Sequence, residues 1–190
     1  MPNNFGSFSG NPKTEWLDEP GADRRMKVLE DFWYDDPSGR RWAAPSGSLI
    51  DGASIPAPLW STVGSPYTGD YRRASIVHDI ACDDPDVPRR DADKMFFLAC
   101  LAGGCSPLQA RLLYAGVRIG AWTPDIRVWS AEAVRIPTVT KQGLQPRLTD
   151  ESVQTTFNEI AVEIQAQPDD VPFDTIEAIV DRQLRAKSQQ

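Results

Sequence analysis

The spacing of apolar residues changes character along the chain. From Met26 to Ile50 they come in short clusters between turn formers: Val28-Leu29, Phe32-Trp33-Tyr34, then an Asp35-Asp36-Pro37-Ser38-Gly39 turn, Trp42-Ala43, and Leu49-Ile50 beyond Pro45. β-branched and aromatic residues bounded by Asp, Pro and Gly predict two or three short strands, a small N-terminal β element. Residues 1–25 are rich in Asn, Gly, Ser and Pro without apolar period, which predicts an irregular arm in which Phe5, Phe8 and Trp16 can dock onto the body.

From Asp51 to Gly69, prolines, glycines and serines are mixed with apolar residues. That is too many breakers for a helix and too apolar for a solvated linker, so an ordered loop lying on the core is expected. Helical spacing then takes over. Asp70 can cap a helix through Cys82 with Ala74, Val77, His78 and Ala81 on one face; Arg89 to Leu101 repeats Ala92, Phe96, Ala99 and Cys100 and stops at Gly103-Gly104; Ser106-Pro107 open a third helix through Ile119. Pro137 to Pro146 has the composition of a linker. Two further amphipathic stretches follow, one with Val153, Phe157, Ile160, Ala161 and Ile164 after an Asp150 cap, the other with Phe173, Ile176, Ile179, Val180 and Leu184 after Pro172. The expected protein is therefore mainly α with a small β element: an arm at 1–25, a core domain at 26–125, a linker at 126–148 and a helical hairpin at 149–190. From Lys141 onward nine acids stand against five bases, so this hairpin holds −4 of the net −7; it either packs on the core or forms an arm for a protein partner.

A chain of 190 residues, 41% hydrophobic and 25% charged, suits one compact domain with an appendage. It has no apolar run long enough for a transmembrane segment, and its first residues lack the basic and apolar stretches of a signal peptide, so a chain made soluble in a cytoplasm is expected. A net charge of −7 gives no electrostatic footprint for sequence-independent nucleic-acid binding. The count that excludes most is that of histidine: His78 is alone. Zinc sites with two or three histidines, His-Glu-x-x-His proteases and multi-histidine phosphohydrolases all need more imidazoles. Cys82, Cys100 and Cys105 are an odd number without CxxC spacing, so buried reduced thiols are expected rather than a zinc ribbon or a stapled scaffold.

Adjacent helical residues point about 100° apart, so His78 can face a neighbouring helix while Asp79 faces the preceding loop. A short Asp83 to Pro88 connection makes the first two helices antiparallel neighbours and brings Asp93 within reach of one nitrogen of His78. A carboxylate there fixes the tautomer and stabilises an imidazolium, leaving the other nitrogen to take a proton from water. Asp79, Asp51 and the carbonyls around Gly52 form a hard oxygen set of the kind calcium prefers, and a cation beside an activated water polarises a carbonyl. Each part alone has an ordinary reading as well: a structural histidine, a solvated carboxylate, a surface ion pair.

Asp51-Gly52-Ala53-Ser54-Ile55-Pro56, Tyr71, Arg73-Ala74, His78-Asp79, Arg90, Ala92-Asp93, Phe96, Arg111, Tyr114, Val117-Arg118 and Gly120 together resemble an uncharacterised domain family found widely in phages and bacteria, whose hallmark is this loop followed by a His-Asp helix. The resemblance spans about residues 28–122 and implies a shared fold. More distantly, the order Asp-Gly loop, His-Asp helix, Asp-x-x-Phe helix and tyrosine-containing helix is similar to bacterial and fungal phospholipases A2. That likeness implies an antiparallel helix pair plus a third helix, His78 as general base, Asp93 orienting it, Tyr114 hydrogen-bonded to Asp93, and Asp51, Gly52 and Asp79 holding calcium. The sequence departs from those enzymes at Ala53, where a cysteine is usual, and at Val77, where a basic residue is usual. The His-Asp-Asp set survives these changes; the disulfide does not.

The leading expectation is a calcium-dependent, phospholipase A2-like ester hydrolase acting on a phospholipid or other acyl ester, phage-encoded and reaching its substrate in a virion or on lysis. Ile55, Leu59 and Trp60 then either form an acyl-chain entrance or merely roof the core. The alternative is a non-catalytic structural or binding module that keeps the fold. Nucleophilic attack by Ser54 or Cys82 is a third, less favoured route, because Cys82 sits at a helix C-terminus where the dipole opposes a thiolate.

Overall fold

The β element is built from more strands than the apolar clusters suggest. A computed structural model describes residues 5–18, 25–53, 55–64, 68–122 and 150–187; the linker at 126–148 and Ser54 lie outside these described residues. Strands β1 (Ser7–Phe8), β2 (Thr14–Trp16), β3 (Met26–Val28), β4 (Phe32–Asp35), β5 (Arg41–Ala44) and β6 (Leu49–Ile50) form two antiparallel three-stranded sheets, ordered β1-β4-β5 and β2-β3-β6. Alternation sends Phe32, Tyr34, Trp42 and Ala44 into the core. The expected turn between β4 and β5 is present: Asp36 Oδ1 accepts the backbone N–H groups of Ser38 at 2.8 Å and Arg40 at 3.1 Å, and Gly39 takes φ +87°.

Residues 5–18, expected to be irregular, carry β1 and β2. These strands are too short for a period of their own and exist through pairing. Ser7 and Phe8 pair with Asp35 and Tyr34, the Phe8 ring lies 5.8 Å from Phe32 and 5.1 Å from Tyr34, and the Tyr34 hydroxyl donates to the Phe5 carbonyl. The stretch after Asp51 also differs from expectation. A 3-10 turn at Ala57–Leu59 runs into α1 (Trp60–Val63), the proline next to its start supplying a preset φ at a position that needs no donor. Ile55 and Leu59 are buried and roof the core; Trp60 is half-buried with its indole N–H donating to Ile55 O at 2.9 Å.

Helices α2 (Arg72–Asp83), α3 (Arg89–Gly103) and α4 (Pro107–Trp122) follow the predicted periods. Asp70 does not cap α2: Tyr71 occupies the N-cap without a side-chain bond, and Asp70 lies instead against the end of α3, where a Cβ on Gly103 would come 2.3 Å from Asp70 O. His78 meets Asp93 while Arg73 reaches Gly103 O at 3.3 Å, so α2 and α3 run antiparallel as the short connection requires. The hairpin of α5 (Asp150–Gln165) and α6 (Phe173–Lys187) packs on the core. Its turn is clamped by Arg111, which donates to Pro168 O at 3.1 Å and to Asp169 O, and by the Phe173 ring, 4.9 Å from Phe97 and 5.0 Å from Tyr114. The fold is thus mainly α with a small β element, and no helix among the described residues is long and apolar enough to cross a membrane.

Candidate functional site

His78 and Asp93 are both fully buried, and His78 Nε2 lies 2.8 Å from Asp93 Oδ1. They sit on α2 and α3 either side of the short connection at 84–88, so the pairing is set by helix geometry. Asp93 is the centre of a larger cluster. Arg89 Nε donates to Oδ1 at 3.0 Å from one turn earlier on α3, and an Arg118 guanidinium N–H donates to Oδ2 at 3.1 Å from α4. Burial opposes ionisation of Asp93, but the hydrogen bond from His78 and the charges of His78, Arg89 and Arg118 overcome it and hold the carboxyl below its usual range. Burial likewise opposes an imidazolium, yet the Cys82 sulfur and the Asp93 carboxylate raise His78 to about 9. The ring is packed 4.7 Å from Phe96, and Cys82 Sγ lies 3.5 Å from Nε2 and 3.7 Å from Nδ1.

One residue on, Asp79 turns toward the loop after β6. Its Oδ2 accepts the Asp51 backbone N–H at 2.7 Å, and Gly52 follows with φ +101°. Asp79 is 8% exposed, whereas Asp51 faces solvent. Burial and the nearby charge of Asp51, with a further contribution from Asp83, push the Asp79 carboxyl well above the ordinary carboxylate range. An acid whose native pKa is raised costs stability once ionised, so the penalty grows as pH climbs above about 4, the unfolded value. Asp79→Asn keeps an acceptor for the Asp51 N–H and removes the penalty. In the absence of divalent cations it is expected to melt above the parent at pH 7, with the gap closing toward pH 3, as thermal unfolding across pH will show.

A buried carboxylate bonded to the backbone of a loop that carries a second, solvent-exposed carboxylate and the Gly52 backbone is an oxygen-donor set of the kind a hard divalent cation prefers. A second grouping does not. His78, Cys82 and Asp93 place ligand atoms within 4.8 Å of one another, but both Asp93 oxygens already serve guanidinium groups, and a metal there would meet two fixed positive charges.

Of the residues singled out in sequence, His78 and Asp93 come together, and Asp51, Gly52 and Asp79 meet beside them. Tyr114 does not take the expected role. It is buried in the aromatic contact with Phe173, and among the described residues the hydrogen bonds to Asp93 come from His78, Arg89 and Arg118. Arg118 lies one turn beyond Tyr114 on α4 and brings a charged donor where a phenol was expected. Arg118 also donates to Asp181 Oδ1 of α6 at 3.2 Å, and Asp181 is paired in turn with Arg90. Sequence reading missed this chain, although an arginine and an aspartate embedded in the apolar stripes of α4 and α6 were its visible signal. Arg89 Nη2 and Arg118 Nε are buried without a hydrogen-bond partner among the described residues, so the cluster is not fully satisfied internally. Two surface hollows, one along α6 at Glu177, Asp181 and Arg185 and one between Val63 and Leu112, do not reach His78.

Residues 26–117 match the family described as "Protein of unknown function (DUF1353)". The chain is 35% identical over 130 residues to the uncharacterized protein y4jT of Sinorhizobium fredii, an alignment covering 67% of this chain and 36% of that protein. It is also 35% identical over 101 residues to the uncharacterized protein y4iH of the same organism, covering 53% of this chain and 42% of that one. The chain thus spans well under half the length of these relatives, and no solved structure matches it.

Proposed function

For a chain whose residues 26–117 match DUF1353, we propose that this region is a calcium-dependent, phospholipase A2-like ester hydrolase. The observation that carries the reading is the side-by-side placement on α2 of a carboxylate-anchored imidazole and a buried acid joined to the Asp51 loop. With Nε2 held by Asp93, His78 Nδ1 takes a proton from water as the water oxygen attacks the acyl carbon. The ester C–O bond then breaks, and the same proton passes to the departing alkoxide, giving a fatty acid and an alcohol. Asp93 fixes the tautomer and balances the imidazolium. Asp79, Asp51 and the backbone around Gly52 would hold the calcium ion, which when bound supplies Lewis-acid polarisation of the ester carbonyl. Phage origin and release on lysis or in a virion remain part of this reading.

The test is fatty-acid release from mixed phosphatidylcholine and phosphatidylglycerol vesicles, with calcium or with a chelator. Release is expected only with calcium and is expected to be lost in Asp79→Asn. No release from any vesicle composition in the presence of calcium sinks the hydrolase.

A second reading rests on the complete burial of His78 and on the three cationic side chains around Asp93. In it the pair ties α2 to α3 in a structural or binding module without turnover, and His78→Ala lowers the melting temperature strongly whether calcium is present or not.

A further inference from the structure

We propose that Cys100 and Cys105 are a modification site: a preformed dithiol that a peroxide converts into a reversible intramolecular disulfide. The inference is independent of the His78 chemistry and rests on how α3 ends. Gly104 adopts φ +110°, its N–H donates to Leu101 O at 3.2 Å, and the Cys105 N–H donates to Cys100 O at 3.1 Å. These are the two backbone bonds of a Schellman motif, which brings the side chains of its first and last residues together, ordinarily as an apolar contact. Here both are cysteines, so the cap's own backbone bonds set Cys100 and Cys105 beside each other at the end of α3. A backbone already closed by hydrogen bonds between the two cysteines meets the main geometric demand of a disulfide, the close approach of its two residues, which fails when two cysteines lie far apart.

The two thiols are not equivalent. Cys105 is 6% exposed and Cys100 is fully buried. The adjoining Cys100 side chain lowers Cys105 below an ordinary thiol, while burial pushes Cys100 up. Cys105 is therefore the sulfur that reacts first. Its thiolate attacks one peroxide oxygen, the O–O bond breaks, and the other oxygen leaves as hydroxide and is protonated to water. The Cys100 sulfur then attacks the resulting Cys105 sulfenic acid and displaces its oxygen as a second water. Two thiols lose two electrons and two protons, and one hydrogen peroxide becomes two waters.

The site also has a structural position. The end of α3 abuts the entry to α2, with Arg73 donating to Gly103 O at 3.3 Å and no room for a side chain at Gly103 against Asp70. A covalent closure of this cap secures the joint between the two helices that carry His78 and Asp93. Cys82 lies at the opposite end of α2 and serves as an internal control.

The experiment treats the reduced full chain with hydrogen peroxide, alkylates it and digests it with trypsin. Lys94 and Arg111 bracket a peptide from Met95 that contains both cysteines and no other cleavage site. The expected product is that peptide lighter by two hydrogens and free of alkyl groups, regaining two alkylation sites after reduction with dithiothreitol, and forming at least about tenfold faster in the folded chain than in urea. Cys82→Ser should still form it and Cys105→Ser should not. The proposal is overturned if the peptide stays doubly alkylated, if sulfinic or sulfonic acids form instead, if the lighter peptide persists in Cys105→Ser, or if the urea-unfolded chain reacts as fast.

Discussion

Asp93→Asn is expected to destabilise the chain by about 3–5 kcal/mol at pH 7, as read by urea unfolding. The substitution leaves side-chain volume almost unchanged, so no cavity contributes. What it removes is the one negative charge shared by His78, Arg89 and Arg118, whose side chains are 0%, 21% and 7% exposed. Arg118 keeps its bond to Asp181, but His78 and Arg89 lose their carboxylate partner, and burying cations without a counter-charge costs several kcal/mol, a large fraction of the ~5–15 kcal/mol that holds a domain together. If the charge imbalance is the cause, adding Arg118→Met to Asp93→Asn recovers part of the loss, a non-additivity that a cavity or general loosening does not give. A loss below about 1 kcal/mol means that water already reaches the cluster and screens it. The pH dependence adds a second readout. Because the native pKa of His78 is about 9 against about 6.5 when unfolded, its contribution is fully present below pH 6.5 and is lost as pH rises through 9. The parent should weaken over that window, and Asp93→Asn should show a much shallower slope.

His78→Gln is expected to lower kcat for ester hydrolysis by about 10²–10⁴ with KM little changed, a barrier increase of roughly 3–5 kcal/mol. Glutamine can still donate an N–H to Asp93, so the ion cluster keeps a partner and the fold is expected to survive; it cannot accept and return a proton. That separates the two readings of the site. In the hydrolase the variant stays folded, losing the stability that the imidazolium contributes at neutral pH, and is inactive, and the parent's rate climbs with pH as His78 becomes neutral. In the structural module there is no calcium-dependent release to lose. Vesicle assays run beside thermal melts distinguish these outcomes, and full activity in His78→Gln removes His78 from the mechanism.

Much of this was legible in the residue pattern, for identifiable reasons. Helices α2 to α6 are long enough for their apolar period to stand out, and the Asp83 to Pro88 connection left Asp93 few places to go except beside His78. The single turn of α1 offers no period, and β1 and β2 exist only because β4 and β3 accept them. Tyr114 shows the limit on the site side. Its position on α4 was right for approaching Asp93, but the choice between a phenol and the guanidinium one turn later depends on how α4 rotates, and that is fixed by Phe97 and Phe173 packing on the tyrosine ring. Asp181 was out of reach of local reasoning, because it meets Arg118 from an element 63 residues further along the chain.

That chain of charges also orders the assembly of the molecule. The His78–Asp93 bond joins residues 15 apart, Arg118–Asp93 residues 25 apart, and Arg118–Asp181 residues 63 apart. Loop-closure entropy rises with each span, by about 0.6 kcal/mol per doubling, so the α2–α3 contact is the easiest to nucleate and the hairpin contact the hardest. Of the three bonds, Arg118–Asp181 has the largest closure cost, and until it forms the guanidinium of Arg118 keeps a hydrated face. Any opening of the hairpin away from α4 would carry Asp181 with it and return water to the Arg118 side of the cluster around Asp93.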